Sequence, residues 1–458
     1  MRLAILILAS SILFNLELTA QTSFTLEEAI TYAIENSDDI KMDYLSIRDA
    51  EESVREYISI GLPQIDANVN YQYNFIKLKN AVPDFISPSV YEVLFEEDVL
   101  ERRDLGPPNT FEVTFQTNQS LTAGLSASSL LFDGSYLTGL RAAKLYKDLT
   151  KKSIKVTEQE IRSNITKAYL ACLITQENIE ILDQNIQTIS KTKDEAQALY
   201  EEGFIEQIDL LRQELNLNNI TSQKQNLEQN QILAKNILKF QMNYPFNDEI
   251  SLTDNINVFE DQFRVDNVEE KELDYNNRAE YDQIITGQEL NKLDLERIKK
   301  SRLPSLLATA SYSGSLQRDD LFNSEEVGIL PASFVGLGIR MPIYDGNERS
   351  AQIQRRKIKI EQTDLERTRF EKAVSLEFQN AKLSFKNALN SLNFSKESLT
   401  LAEDIYNKTS IKYREGVGSS LEVNQAELSL FQSQANYINA LYDLLNAQVA
   451  IETALGTL

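Results

Sequence analysis

One stretch occurs twice, and that duplication constrains the fold more than any other feature of the chain. The first copy reads Tyr200-Glu-Glu-Gly-Phe-Ile-Glu-Gln-Ile-Asp-Leu-Leu-Arg-Gln-Glu-Leu-Asn-Leu217 and the second Tyr413-Arg-Glu-Gly-Val-Gly-Ser-Ser-Leu-Glu-Val-Asn-Gln-Ala-Glu-Leu-Ser-Leu430. Each sets a glycine break between long runs of helix formers, so each reads as the tip of a helical hairpin. The duplication reaches further: Asn36…Leu62-Pro63 recurs as Asn277…Leu303-Pro304, and Asp133-Gly134 recurs as Asp345-Gly346. A repeat takes precedence over a domain count made from length. Two structural repeats are expected, 21–245 and 274–458, joined by an acidic segment at 246–273 that reads as a linker around the outside of the helices.

Thr25-Leu-Glu-Glu28 is a capping box ahead of an apolar-periodic run, which predicts a helix from Thr25 to about Ile60, stopped by Pro63. Beyond it the period changes to two. Ile65, Ala67, Val69, Tyr71, Tyr73 and Phe75 alternate with Asp66, Asn68, Asn70, Gln72 and Asn74. One such strand would suit an ordinary half-buried sheet. The pattern recurs, however, at Leu121–Ala127, Leu306–Tyr312 and Val335–Met341, predicting strands at about 64–75, 114–131, 305–316 and 332–344. Segments of about ten residues with a dyad pattern match the strands of outer-membrane barrels. The loops inside each pair, roughly 76–114 and 317–331, are placed outside the cell, where long loops belong.

Each Asp-Gly opens a proline-free run, predicting long helices at about 134–202 and 346–415 and return helices at about 204–243 and 419–455. In the first, Ile154, Ile161, Ile165, Ala168, Cys172, Ile179, Leu182, Ile186, Ile189 and Ala196 are separated by steps of three, four or seven, a heptad seam. The equivalent positions of the second are Val374, Phe378, Ala381, Phe385, Leu392, Leu399 and Ala402, so Cys172 reads as a small core residue. At 1.5 Å per residue such helices are about 100 Å long, suited to a tube-like assembly.

Composition removes several classes of function. Acids outnumber bases by 69 to 46, which disfavours nucleic acid and anionic membrane surfaces as partners. Histidine is absent, so no Ser-His-Asp triad or imidazole metal site can be built. Residues 1–20 have the plan of a secretory signal, Arg2 followed by apolar Leu3–Leu16 and then Leu18-Thr-Ala20, and the run is shorter than the roughly 20 residues of a spanning helix. With no later segment apolar enough for such a helix, membrane entry requires β-strands, and four strands leave open edges that lipid cannot satisfy. Several chains must close one barrel.

In order, duplication and spacing these marks resemble the TolC-type outer-membrane factor family: the opening Phe24-Thr-Leu-Glu-Glu-Ala-Ile30, Leu-Pro before each strand pair, Asp-Gly after it, and the two tips. The resemblance covers essentially the whole chain after the N-terminal segment. It implies a mixed α and β membrane fold, a homotrimer in which each chain gives four strands to one twelve-stranded outer-membrane β-barrel, continued by a long periplasmic α-helical barrel. It implies passive conduction through the exit duct of a tripartite efflux or secretion system, whose partners are a periplasmic adaptor (membrane fusion) protein and an inner-membrane pump. No catalytic residue, metal or cofactor is expected.

By the same resemblance Gly203, Phe204, Gly416, Val417 and Gly418 dock the adaptor, although glycine at a helix turn also has the plain explanation that it tolerates positive φ. Glu422 and Gln425 match the positions that ring the narrow periplasmic end, predicting one acidic ring, not two. Tyr413 and Asp209 match linking positions of the closed gate. The family's arginine is replaced by Gly418, so a hydrogen bond from the Tyr413 hydroxyl to Asp209 is what remains expected, the alternative being an Asp209 that only solvates its helix. Asp66, Asn68, Asn70 and Arg340 are expected to face the barrel lumen. The competing reading is an exported coiled-coil scaffold that never enters a membrane; an enzyme comes third.

Overall fold

In a computed structural model the described residues are 22–107, 109–256, 259, 271–322 and 328–458. The signal-like segment 1–20, residues 257–258 and 260–270 of the acidic stretch 246–273, and 323–327 of the second loop lie outside them. Two compact units are present: one comprises the chain up to Glu52, Lys144–Lys292 and Lys357–Leu458, the other Ser53–Ala143 and Leu293–Arg356. Each unit takes segments from both halves of the sequence.

The sheet unit is built on β2 (Gln64–Tyr73), β5 (Gln119–Phe132), β7 (Ser305–Arg318) and β8 (Leu330–Arg340), hydrogen-bonded in the order β2-β5-β7-β8, every pair antiparallel. The register decides which residues share a face. Asp66 is opposite Ser126, Ser126 opposite Ser311, and Ser311 opposite Phe334, while Ser305 at the other end of β7 is opposite Arg340. Because alternate residues point the same way, Asp66, Asn68, Asn70 and Arg340 fall on one face with Thr122, Ser126, Ser311 and Ser313. Ile65, Val69, Tyr71, Leu125, Tyr312, Val335, Leu337 and Ile339 fall on the other. A register irregularity between Leu130 and Phe132 ends the match of β5 to β7.

The first loop contains structure of its own: β3 (Asn80–Pro83) pairs antiparallel with β4 (Thr110–Val113), and α3 (Ile86–Glu96) lies between them in sequence. Asp84 Oδ1 accepts the amides of Ile86 and Ser87 at 3.1 and 2.9 Å and so starts α3. The two loops are joined by Lys77 Nζ to Asp319 Oδ1 at 2.6 Å, an atom that also accepts the Asn118 amide at 2.8 Å.

The sequence predicts one helix from Thr25 to Ile60; the structure has α1 (Leu26–Asn36) and α2 (Asp38–Ser59) instead. Ser37 leaves the helical region at φ −54°, ψ 131°, and its hydroxyl accepts the amides of Asp39 and Ile40 at 3.1 and 3.3 Å, so it caps a new helix. The capping box itself is present, with Thr25 Oγ1 accepting the Glu28 amide and Glu28 Oε2 accepting the Thr25 amide at 2.8 Å. Gly139, which interrupts the first long run, has a tertiary reason. The Tyr57 and Tyr136 rings stack at 5.9 Å, and a Cβ on Gly139 would collide with the Tyr57 hydroxyl, as one on Gly61 would with Tyr136.

The helical unit takes its length from α4 (Gly134–Glu201, which begins in the sheet unit), α5 (Gln207–Gln241), α7 (Glu348–Arg414, likewise) and α8 (Ser420–Leu455), with α6 (Ala279–Lys300) bridging the units in sequence. Its core gathers Ile165, Tyr169, Cys172 and Leu173 of α4, Leu238 of α5, Phe378, Phe385 and Leu392 of α7, and Leu441, Leu444, Leu445 and Ile451 of α8. A short parallel pair, β1 (Thr22–Phe24) with β6 (Ile250–Leu252), is added to it. Tyr169 donates to the Phe24 carbonyl and to Asp254 Oδ2, both at 2.9 Å, and burial pushes that phenol well above its ordinary range. Among the described residues no helix is long and apolar enough to cross a membrane.

Candidate functional sites: the helix tips and the polar sheet face

The two tips close α4 and α7 with the same backbone device. Gly203 and Gly416 have φ of +78° and +74°, and the amides of Phe204 and Val417 reach back to the carbonyls of Leu199 and Lys412 at 2.9 and 3.0 Å. This is the Schellman arrangement, in which the left-handed residue is glycine because a Cβ there is strained. A Cβ on either glycine would meet only open space, so the constraint on those two positions comes from the backbone alone. Phe204 and Val417 stand out beside them, 73% and 79% exposed.

Beyond the turns the copies diverge. Ser419 caps α8 by accepting the Glu422 amide at 3.3 Å, whereas Glu206 at the matching end of α5 makes no side-chain cap. Gly418 is bent back over the end of α7, its amide donating to the Lys412 carbonyl at 3.1 Å, and a Cβ there would lie 3.0 Å from the Tyr413 nitrogen. Any side chain at that position crowds the last turn of α7, which gives a steric reason for glycine where the family resemblance calls for arginine.

The expected Tyr413–Asp209 hydrogen bond is replaced. Asp209 Oδ1 accepts from the Ser420 hydroxyl at 2.9 Å and lies 3.4 Å from Arg212 Nη1, one turn along the same helix. Tyr413 is near enough that Asp209 and Glu195, after burial, raise its phenol above the ordinary value. The two hairpins, α4–α5 and α7–α8, are thus linked through Ser420. They are linked again at Asn424, whose Oδ1 accepts from Gln213 Nε2 at 3.1 Å and from Asn216 Nδ2 at 2.6 Å, and at Asn185 Nδ2 to Gln434 Oε1, 2.8 Å. Glu422 and Gln425, three residues apart on α8, are both exposed and share one face.

Sequence reasoning missed Ser420, Asn424 and Glu427. A signal was present for Glu427: Val423, Glu427 and Leu430 follow core spacing, so a carboxyl occupies an apolar seam position. It is 0% exposed, with one hydrogen bond to Oε1, from Thr192 Oγ1 at 3.4 Å, and Oε2 has no partner. Burial pushes its pKa up to about 7.

On the sheet, Asp66, Asn68, Asn70 and Arg340 are exposed and share a face, with small hydroxylated residues and glycine between them. Such a face suits a wetted wall. Among the described residues no cluster of three or more acidic, cysteine or histidine side chains could hold a metal ion.

The family model described as outer membrane efflux protein matches residues 29–243 and 297–457. Outer membrane protein TolC of Escherichia coli (strain K12) is 26% identical over 182 residues, which are 38% of this chain and 36% of that protein. Outer membrane protein TolC of Salmonella enteritidis is 21% identical over 348 residues, 74% of this chain and 69% of that protein. Among solved structures, the outer membrane protein VceC of Vibrio cholerae superposes with a TM-score of 0.68 at 16% identity, covering 94% of this chain and 96% of that one. At that identity the likeness is one of fold.

Proposed function

The chain belongs to the outer membrane efflux protein family, and from that premise we propose that it is the exit duct of a tripartite efflux or secretion system, a trimer that conducts passively from an adaptor-coupled inner-membrane pump to the outside. Each chain contributes β2-β5-β7-β8 to a twelve-stranded barrel, and its two repeats of long helices form the periplasmic tube. The observation that carries this reading is the sheet itself. It has a polar and an apolar face in concordant register over all four strands, and β2 and β8 leave unpaired edges. In lipid those edges must be paired, and only closure with further copies pairs them.

The helices support the same assembly. Leu365, Leu376, Leu383, Phe394 and Leu401 of α7 are spaced by 11, 7, 11 and 7 residues, a 3.6-residue stripe, and are 60–71% exposed in the single chain. A separate apolar patch, Leu233, Ile237 and Phe240, is exposed on α5. Two unlike patches make a heterologous contact, which generates a ring when the rotation closes. Asp66, Asn68, Asn70 and Arg340 then line the lumen; Glu422 and Gln425, with Asp209 and Tyr413 behind them, form the periplasmic gate; Gly203, Phe204, Gly416, Val417 and Gly418 meet the adaptor.

Reconstitution into a planar bilayer tests the proposal: discrete conductance from a trimer is expected, and a soluble, non-conducting monomer refutes it. The scaffold alternative is separated by labelling single cysteines at Val69 and Leu337 with lipid-phase and aqueous probes. Both lie on the apolar face, and the duct exposes them to lipid while a scaffold leaves them in water.

A further inference from the structure

The tip end of the helical unit contains an acid in the wrong environment. Around Glu427 the helices close from several sides: α4 brings Thr192, which gives the single long hydrogen bond, and α7 brings Tyr406, whose phenol is raised by its own burial and by the Glu427 charge. α5 approaches through Gln213 and Asn216, which hold Asn424 one turn nearer the tip. No cation is paired with Glu427 among the described residues. Arg414 acts on Tyr406, Arg212 is paired with Asp209, Lys193 with Asp194 and Lys408 with Asp404, while Lys191 and Lys412 form no ion pair with Glu427 and the acids and phenols of this end include Tyr413, Glu195, Asp209 and Glu422. Gln213 Oε1, like Glu427 Oε2, is buried and unpartnered. A buried carboxyl with one weak donor and no counter-charge is tolerated when neutral and strongly disfavoured when ionised.

We propose that Glu427 is a proton-operated latch: protonated, it lets α8 pack against α4 and α7, and on releasing its proton to water it drives the α7–α8 hairpin away from the α4–α5 hairpin and loosens the tip. The proposal rests on reading the tips as the working end of an exit duct. Its chemistry is a single proton exchange with solvent, and it needs no other reactant.

The direction follows from linkage. In the packed state the group titrates at about 7, and in a solvated, separated state at its ordinary 4.5. The packed tip is therefore favoured in full below about 4.5. That advantage is lost as pH rises to about 7, above which the ratio of packed to separated tips is lower by on the order of 100-fold per chain. The Asn424 bonds join neutral amides.

Spin labels at Phe204→Cys and Val417→Cys, one on each exposed tip, report the hairpin separation in the intact trimer by pulsed electron resonance between pH 5 and 8.5. The native Cys172 does not compete, since burial holds it as an unreactive thiol with its pKa pushed up to about 12. With Glu427 present, the distance is expected to lengthen as pH rises, with its midpoint between about 4.5 and about 7; Glu427→Gln, an isostere of the neutral form, is expected to keep the acid-side distance throughout. Thr192→Val removes the one bond that favours the ionised packed form, so at alkaline pH the separated tip should dominate further and the midpoint should not rise. A distance independent of pH in the unsubstituted tip, the same transition in Glu427→Gln, or a midpoint moved to higher pH in Thr192→Val overturns the latch. Bilayer conductance is recorded on the same preparations, and its complete absence at every pH counts against the duct and not against the latch, which the distances decide.

Discussion

Placing one charge on either side of β2 makes the sidedness of the sheet a measurable quantity. At about 3.3 Å per residue the ten residues of β2 span roughly 33 Å. Tilted by about 40°, they cross about 25 Å, the height of the apolar band around outer-membrane barrels. Asn68 and Val69, the fifth and sixth residues, sit at the centre, side by side in sequence and on opposite faces, opposite Gly124 and Ala123 respectively. Val69→Arg sets a guanidinium at the mid-plane of the hydrocarbon, a cost of about 2–4 kcal/mol per chain. In the proposed trimer three chains suffer it at once, so the assembly loses on the order of 6–12 kcal/mol. Asn68→Arg puts the same group into the wetted interior, where the cost is within about 0.5 kcal/mol. Denaturant unfolding of both variants in liposomes, with trimer retention on mild heating as a second readout, gives the comparison. Equal losses for the two variants, or a larger loss for Asn68→Arg, would refute the assignment of lumen and lipid faces.

Three further outcomes are expected. In the proposed trimeric duct Glu422→Gln removes one charge per chain from the periplasmic end, so cation preference and block by multivalent cations should weaken; unchanged selectivity in bilayer recordings would take Glu422 out of the constriction. Gly203→Trp and Gly416→Trp each force an L-residue into left-handed φ at a cost of about 1–2 kcal/mol and add bulk at an otherwise open tip. Export should fail while the trimer persists on native electrophoresis, and normal export by both variants would remove the glycines from the docking contact. Gly139→Ala drives a methyl group into the Tyr57 hydroxyl and should lower stability by about 1–3 kcal/mol in a denaturant titration, with wild-type stability showing that the Tyr57–Tyr136 stack yields freely.

What the sequence alone determined is everything carried by interactions within a few residues. The period of two at Ile65–Tyr73, the heptad steps from Ile165 to Ala196, the Thr25 capping box and the glycines that end α4 and α7 all act over at most seven positions along the chain. Their order and duplication were enough to carry the family resemblance. The break at Ser37 was also local, but a serine hydroxyl that caps a helix competes on nearly equal terms with one that rides on it, and the apolar pattern runs on through the break. The tertiary structure decided what depends on residues far apart. Register across four strands, not alternation within each, puts Arg340 on the same face as Asp66. Asp209 bonds Ser420, 211 residues away, because Gly418 folds back on Lys412 and leaves Ser420 the nearer donor. Gly139 faces Tyr57 across the fold, and Glu427, which in the sequence is one more acid on a charged helix, is enclosed by α4 and α7. A carboxyl's chemistry is set by how much water and counter-charge surround it, and neither quantity exists until distant helices have packed.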